Sequence, residues 1–134
     1  MYLSMLNGKQ KELFLGFAYH LVVSDGIYSQ EEKALMKSYC YEMQIDLEPN
    51  KFIKPLDDIL EEINIECRTK EKKIIIFEVI GLAMSDSSFD KEERELIHDA
   101  VIRFNLEADF DIKCERVICE YIEFQNRLNE IILT

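Results

Sequence analysis

The feature that most constrains the fold of this chain is an internal repeat at an offset of sixty-one residues. Residues 9–46 align with residues 70–107 without a gap, and eight of the 38 aligned positions are identical. Six of these identities define one motif: Leu21, Ser24, Asp25, Glu31, Glu32 and Leu35 recur as Leu82, Ser85, Asp86, Glu92, Glu93 and Leu96. The apolar positions repeat as well. The duplication predicts two structural units of one design that pack against each other.

Apolar residues in both copies recur at helical spacing. Between residues 13 and 23 they cover most sides of a helix, which predicts a helix in the middle of a bundle. Three residue pairs have the spacing of a capping box at a helix start: Asn7 with Gln10, Ser29 with Glu32, and Asp90 with Glu93. Each copy is therefore expected to form a helical hairpin.

The rest of the chain also has a helical pattern. The run Ile74-Ile75-Ile76-Phe77 favours a strand by local propensity, but its register matches the first helix, so we predict a helix with Thr69 as its N-cap. Pro55 suits the first turn of a short helix to about Glu62. Apolar residues between 110 and 132 predict a long closing helix packed along both hairpins.

Together these elements predict an all-α fold. The expected architecture is a single domain over residues 1–134: a helical bundle of about six or seven helices. It consists of two pseudo-symmetric helical hairpins (repeat one about 9–46, repeat two about 70–107) and a long C-terminal helix.

The charge balance narrows the classes of partner. Sixteen Lys and Arg oppose 27 Asp and Glu, a formal net charge of −11, which disfavours binding to nucleic acid or to anionic lipid. No signal peptide is evident, and no apolar run is long enough to insert into a membrane. The four cysteines include no C-x-x-C pair, so we expect reduced, mostly buried thiols and a cytoplasmic protein.

The sequence shows an apolar helix that ends in Ser24-Asp25-Gly26, followed by Glu31-Glu32 at the start of the next helix. This pattern resembles the TerB-like family. The second copy repeats the motif as Ser85-Asp86 with Glu92-Glu93, but Ser87 replaces the glycine. This family includes tellurite-resistance protein B and domains of DnaJ-like chaperones. The resemblance implies an all-α bundle of two hairpins, a role in chemical stress responses within protein assemblies, and no general enzyme activity.

The carboxylates of the two motifs are the candidate binding residues. Hard cations such as Ca²⁺ or Mg²⁺ bind several oxygens at short range, which Asp25, Glu31, Asp86 and Glu92 could supply; the resemblance also implies cation binding here. The alternative is structural, because carboxylates at helix N-termini satisfy free amides without any metal. Glu32 and Glu93 are already assigned to capping boxes.

Patterns typical of catalysis are weak in this sequence. His20 and His98 do not occupy equivalent positions in the two repeat copies. No glycine-rich phosphate loop or G-x-S-x-G motif occurs in the sequence. We therefore predict a non-catalytic protein-interaction or stress-response scaffold module that needs no cofactor. The alternative is a divalent-cation-binding module, and a small hydrolase is a remote third. The sequence leaves the protein partner and the oligomeric state open.

Overall fold

The computed structural model describes residues 1–24, 29–46, 54–85 and 89–134, and these ranges contain helices but no strand. A short N-terminal 3₁₀ turn, Leu3–Met5, precedes the α-helices. The helices of the described ranges are α1 (Gly8–Val23), α2 (Gln30–Met43), α3 (Leu56–Glu66), α4 (Thr69–Ala83), α5 (Lys91–Arg103) and α6 (Phe110–Leu133). The predicted all-α helical bundle is confirmed.

Helices α1 and α4 form the centre of the bundle. They pack against each other, α1 also packs against α3, and α4 contacts α2, α5 and α6. Phe14 and Phe17 of α1 and Ile75, Ile76 and Val79 of α4 have no exposed surface. The β-branched run in α4 is helical because burial on most sides outweighs the small intrinsic preference of isoleucine for strands.

Capping boxes start three of the helices as predicted. In α2, the Ser29 hydroxyl accepts the Glu32 amide at 3.1 Å, and the Glu32 carboxylate accepts the Ser29 amide at 3.0 Å. Asn7 with Gln10 in α1 and Asp90 with Glu93 in α5 form the same reciprocal pair. These bonds satisfy amides that have no partner within the helix.

Two predicted helix boundaries are wrong. The N-cap of α4 is Arg68, and Thr69 is its first helical residue. Glu71 explains this shift, because its carboxylate accepts the Arg68 amide at 3.0 Å, and a backbone amide needs no particular side chain. Helix α3 continues to Glu66, four residues past the predicted Glu62, since Ile63 is fully buried and extends its apolar face.

The two copies of the repeat share unusual backbone details. Gln44 (φ 58°) and Asn105 (φ 59°), sixty-one residues apart, are the non-glycine residues with positive φ among those described. Each lies just after its helix, and the amide of the following residue bonds to the carbonyl five residues earlier at 3.1 Å. Ser24 and Ser85 each donate from Oγ to the carbonyl three residues earlier at 2.7 Å. The equivalent helices of the two repeat copies therefore end in the same way.

The N-terminal turn is fastened to the bundle by two glutamates. The buried carboxylate of Glu78 on α4 accepts the Tyr2 amide at 3.0 Å, and Glu42 on α2 accepts the Leu3 amide at 3.0 Å. Leu3 is fully buried beneath the turn. These contacts fix the half-exposed side chains of Tyr2 and Met5 beside α4.

The long helix α6 departs from its predicted packing. Its first half contacts α4 and α5, and Phe110, Cys114 and Ile118 pack against the core. Every residue from Cys119 onward is exposed, so the expectation that the whole helix packs along both hairpins is wrong. The reason is length: 24 residues of α6 span about 36 Å, whereas the 15 residues of α4 span about 22 Å.

Candidate functional site

The predicted carboxylate set divides into buried and exposed members. Glu32 and Glu93 are almost completely buried, and both act as capping-box acceptors. Glu31 and Glu92 are exposed in the first turns of α2 and α5, where they complement the positive end of the helix dipole. The two pairs therefore have different environments although they are neighbours in sequence.

The other motif residues, Asp25, Gly26 and Asp86, lie outside the described residues. Within the ranges that the structure describes, no group of three or more His, Cys, Asp or Glu side chains is placed to hold a metal ion. The cation site formed by Asp25, Glu31, Asp86 and Glu92 stays a prediction, because two of its four ligands are not described.

The two histidines contact protein oxygen atoms, and most of the cysteines are buried. The Nε2 atom of His20 lies 2.7 Å from the Lys54 carbonyl oxygen, and Nδ1 of His98 lies 3.1 Å from a carboxylate oxygen of Asp111. Three cysteines are buried and Cys119 is exposed. Burial raises the pKa of the Cys67 thiol to about 11, so its reactive thiolate is disfavoured.

The main feature that the sequence interpretation missed is an exposed apolar stripe on α6. We call it the α6 stripe and define it as Cys114, Val117, Tyr121, Phe124, Leu128 and Ile131. Apart from the buried Cys114, its members are between 43% and 75% exposed. The alternating spacing of three and four residues is the a/d pattern of a coiled coil, and this pattern was available in the sequence. From the sequence alone, the apolar positions of this helix are instead assigned to a core-facing surface.

An apolar groove lies at the root of the α6 stripe. It has a volume of about 650 Å³ and runs between α6, α4 and the N-terminal turn. Phe110 and Cys114 form its α6 wall, and Phe77 contributes to its α4 wall. The exposed side chains of Lys70 and Lys73 lie on its rim. The groove is therefore apolar inside and cationic at one edge, and it shares Cys114 with the α6 stripe.

Polar contacts hold the first half of α6 against α5. Arg94 Nη1 donates to Glu115 Oε2 at 2.6 Å, and the hydrogen bond raises the pKa of the guanidinium. The Arg94 guanidinium also lies 4.2 Å from the centre of the Phe89 ring. One turn away, His98 pairs with Asp111. These contacts connect the first half of α6 to α5.

No described helix combines the length and apolarity that crossing a bilayer requires. The resemblance to the TerB-like family rests on the acidic motif that occurs once in each repeat copy. This resemblance stays a prediction. Scans against protein-family models, curated proteins and solved structures found no match to this chain.

Proposed function

We propose that this chain is a non-catalytic, cytoplasmic TerB-like helical module that binds a protein partner through the α6 stripe. One observation carries the proposal: the exposed second half of a well-formed helix presents a continuous row of large apolar side chains. Monomeric proteins rarely leave a contiguous apolar patch of more than a few hundred Å² uncovered, and larger patches are typical of interaction surfaces.

The charge of the surrounding surface favours a protein over a membrane or a nucleic acid. The polar side of the exposed half carries Glu120, Glu123 and Glu130 against a single Arg127. Helices that lie on membranes are usually rich in Lys and Arg on their polar face, and phosphate backbones also need cationic surfaces. An acidic chain with an apolar helical face suits an apolar groove or helix on another protein.

The attachment of α6 to the bundle supports the same function. Binding by a preformed helix avoids the conformational entropy that a disordered segment loses when it folds on its partner. The Arg94–Glu115 and His98–Asp111 pairs hold the base of α6, so the stripe is presented in a fixed direction. Helix-in-groove recognition uses this kind of preformed apolar face.

The experiment compares two variants as baits in an extract of the cells that make the protein. Phe124→Glu combined with Leu128→Glu places two carboxylates in the stripe. Ile65→Glu is the control, because Ile65 on α3 is 74% exposed but does not belong to the stripe. We expect wild type and the control to retain one partner that the double variant loses, with unchanged circular dichroism. Equal capture by all three baits would contradict the proposal.

A second candidate function is divalent-cation binding by Asp25, Glu31, Asp86 and Glu92. The supporting observation is that Glu31 and Glu92 occupy equivalent exposed positions and are not the capping-box acceptors of their helices. Calorimetry with Ca²⁺, Mg²⁺ and Mn²⁺ tests it, with Glu31→Gln/Glu92→Gln as the matched variant. Saturable heat that the variant loses supports a cation site. Absence of heat and of a thermal shift at millimolar metal excludes one.

A further inference from the structure

We propose that the partner of the α6 stripe is a second copy of this chain, with the two α6 helices packed antiparallel across a two-fold axis. This inference rests on the proposed function and names its partner. The stripe repeats every seven residues: Cys114, Tyr121 and Leu128 occupy the a positions, and Val117, Phe124 and Ile131 occupy the d positions. An a/d pattern over nearly three heptads is the seam that packs against another helix of the same kind.

The antiparallel register follows from pairing a positions with d positions. In that register Cys114 lies opposite Ile131 of the second copy, Val117 opposite Leu128, and Tyr121 opposite Phe124. Each pair appears twice because a two-fold axis relates the copies, so the interface is self-complementary. The largest pair, Tyr121 with Phe124, then lies at the centre of the seam beside the two-fold axis.

Charged residues beside the seam favour this orientation. Glu120 and Arg127 are exposed and occupy g positions, which face each other in an antiparallel pair. Glu120 of each copy therefore meets Arg127 of the other, giving two ion pairs of opposite charge. In a parallel pair Glu120 would face Gln125, which carries no charge. The charge pattern therefore distinguishes the two orientations.

The groove at the root of α6 receives the end of the second helix. The register places Ile131 of the second copy next to Cys114, where the 650 Å³ groove opens. The same step brings the last turn of that helix toward Lys70 and Lys73 on the rim. A helix C-terminus carries partial negative charge, so the cationic rim complements it. The groove and the stripe thus form one continuous docking surface.

The exposed apolar area of the α6 stripe reaches the range of a specific interface. Five of its members are between 43% and 75% exposed: Val117, Tyr121, Phe124, Leu128 and Ile131. At about 150–200 Å² for each full side chain, they present roughly 500 Å² per copy, or about 1,000 Å² for the two copies. A biological interface is expected to bury at least about 1,000 Å² in total.

The first test measures molar mass in solution by sedimentation equilibrium from 1 to 100 μM. We expect wild type to reach twice the protomer mass of 15.9 kDa. Ile131→Glu should remain monomeric, whereas Ile65→Glu should dimerise like wild type. The two isoleucines form a matched pair, because they are 75% and 74% exposed. Circular dichroism confirms that both variants fold.

The second test determines whether the two α6 helices are antiparallel, by exchanging the charges at Glu120 and Arg127. Glu120→Arg and Arg127→Glu should each weaken self-association, by about 5- to 30-fold in Kd, because each places like charges opposite each other twice. An equimolar mixture of the two variants should recover the wild-type affinity as a heterodimer, since both pairs become complementary again. A parallel dimer would show no such recovery.

The outcomes separate this inference from the function on which it rests. A wild-type protein that stays monomeric at 100 μM overturns the second copy as partner, as does a dimer that tolerates Ile131→Glu. If the capture experiment still finds a partner that depends on Phe124 and Leu128, the proposed function survives with a different protein on the stripe. Capture that ignores the stripe, together with a monomer, overturns both.

Discussion

Replacing Gln44 by glycine should stabilise this protein. Gln44 follows α2 with φ 58° and ψ 43°, a left-handed conformation in which a Cβ atom crowds the following carbonyl. Glycine has no Cβ and is the residue that most often occupies this position after a helix. Asn105 has almost the same φ after α5, but asparagine tolerates the left-handed region better than glutamine. The two equivalent positions therefore form an internal comparison.

The expected change in the free energy of unfolding is the difference between two contributions. The left-handed conformation costs a residue with a Cβ roughly 1–2 kcal/mol. Glycine loses more backbone entropy on folding than other residues, and this loss offsets roughly 0.5–1 kcal/mol of the stabilisation. The Gln44 side chain is exposed, so removing it sacrifices little packing. The expected net stabilisation for Gln44→Gly is about 0.5–1 kcal/mol, or about 2–4 °C in Tm for a chain of this size. Asn105→Gly should gain less.

The assay is equilibrium unfolding in urea, followed by circular dichroism at one fixed protein concentration. Lys37→Gly is the control, because Lys37 is an exposed residue inside α2 where glycine should destabilise by about 0.5–1 kcal/mol. The opposite signs at two exposed sites of one hairpin test backbone conformation separately from side-chain loss. A destabilised Gln44→Gly protein with an unchanged m value would refute the conformational argument.

Two further predictions concern α6 and the thiols. A double-mutant cycle on Arg94→Ala and Glu115→Ala should give a coupling of about 0.5–1 kcal/mol in the free energy of unfolding. The coupling should fall with added salt, because both side chains are partly exposed. Zero coupling at low salt would mean that this pair does not hold α6. With a disulfide reagent at pH 8, the exposed Cys119 should react quickly and the three buried thiols slowly. Burial raises the pKa of the Cys40 thiol, and it raises the pKa of Cys67 and Cys114 to about 11, which leaves about one thiolate in a thousand at these two. Two or more fast thiols in the folded protein would contradict this assignment.

Much of the fold could be predicted because its signals are local. The capping boxes at Ser29 and Asp90 depend on residues three positions apart, and the structure contains both. Helix α4 was predictable despite its isoleucines because its register repeats that of α1. The N-cap of α4 was placed one residue late, since Glu71 bonds to a backbone amide and leaves no mark on the capping residue itself.

The candidate site was harder to predict. The sequence indicated that the motif carboxylates could bind a cation, and the structure describes Glu31 and Glu92 but not Asp25 or Asp86. The apolar positions of α6 were recognised as one helical face, but the pattern that predicts burial in a core also predicts an interface. Periodicity records that a face avoids water and carries no information about which surface covers it.

The sequence by itself determined the helices, three of their N-terminal caps and the equivalence of helix ends in the two repeat copies, because these depend on neighbours within a few residues or on a duplicated pattern. The tertiary structure decided which apolar faces are covered inside the chain. Helix α6 is nine residues longer than α4 (24 against 15), and Phe124, Leu128 and Ile131 stay exposed. That outcome depends on the relative lengths and placement of packed helices, which no local pattern contains.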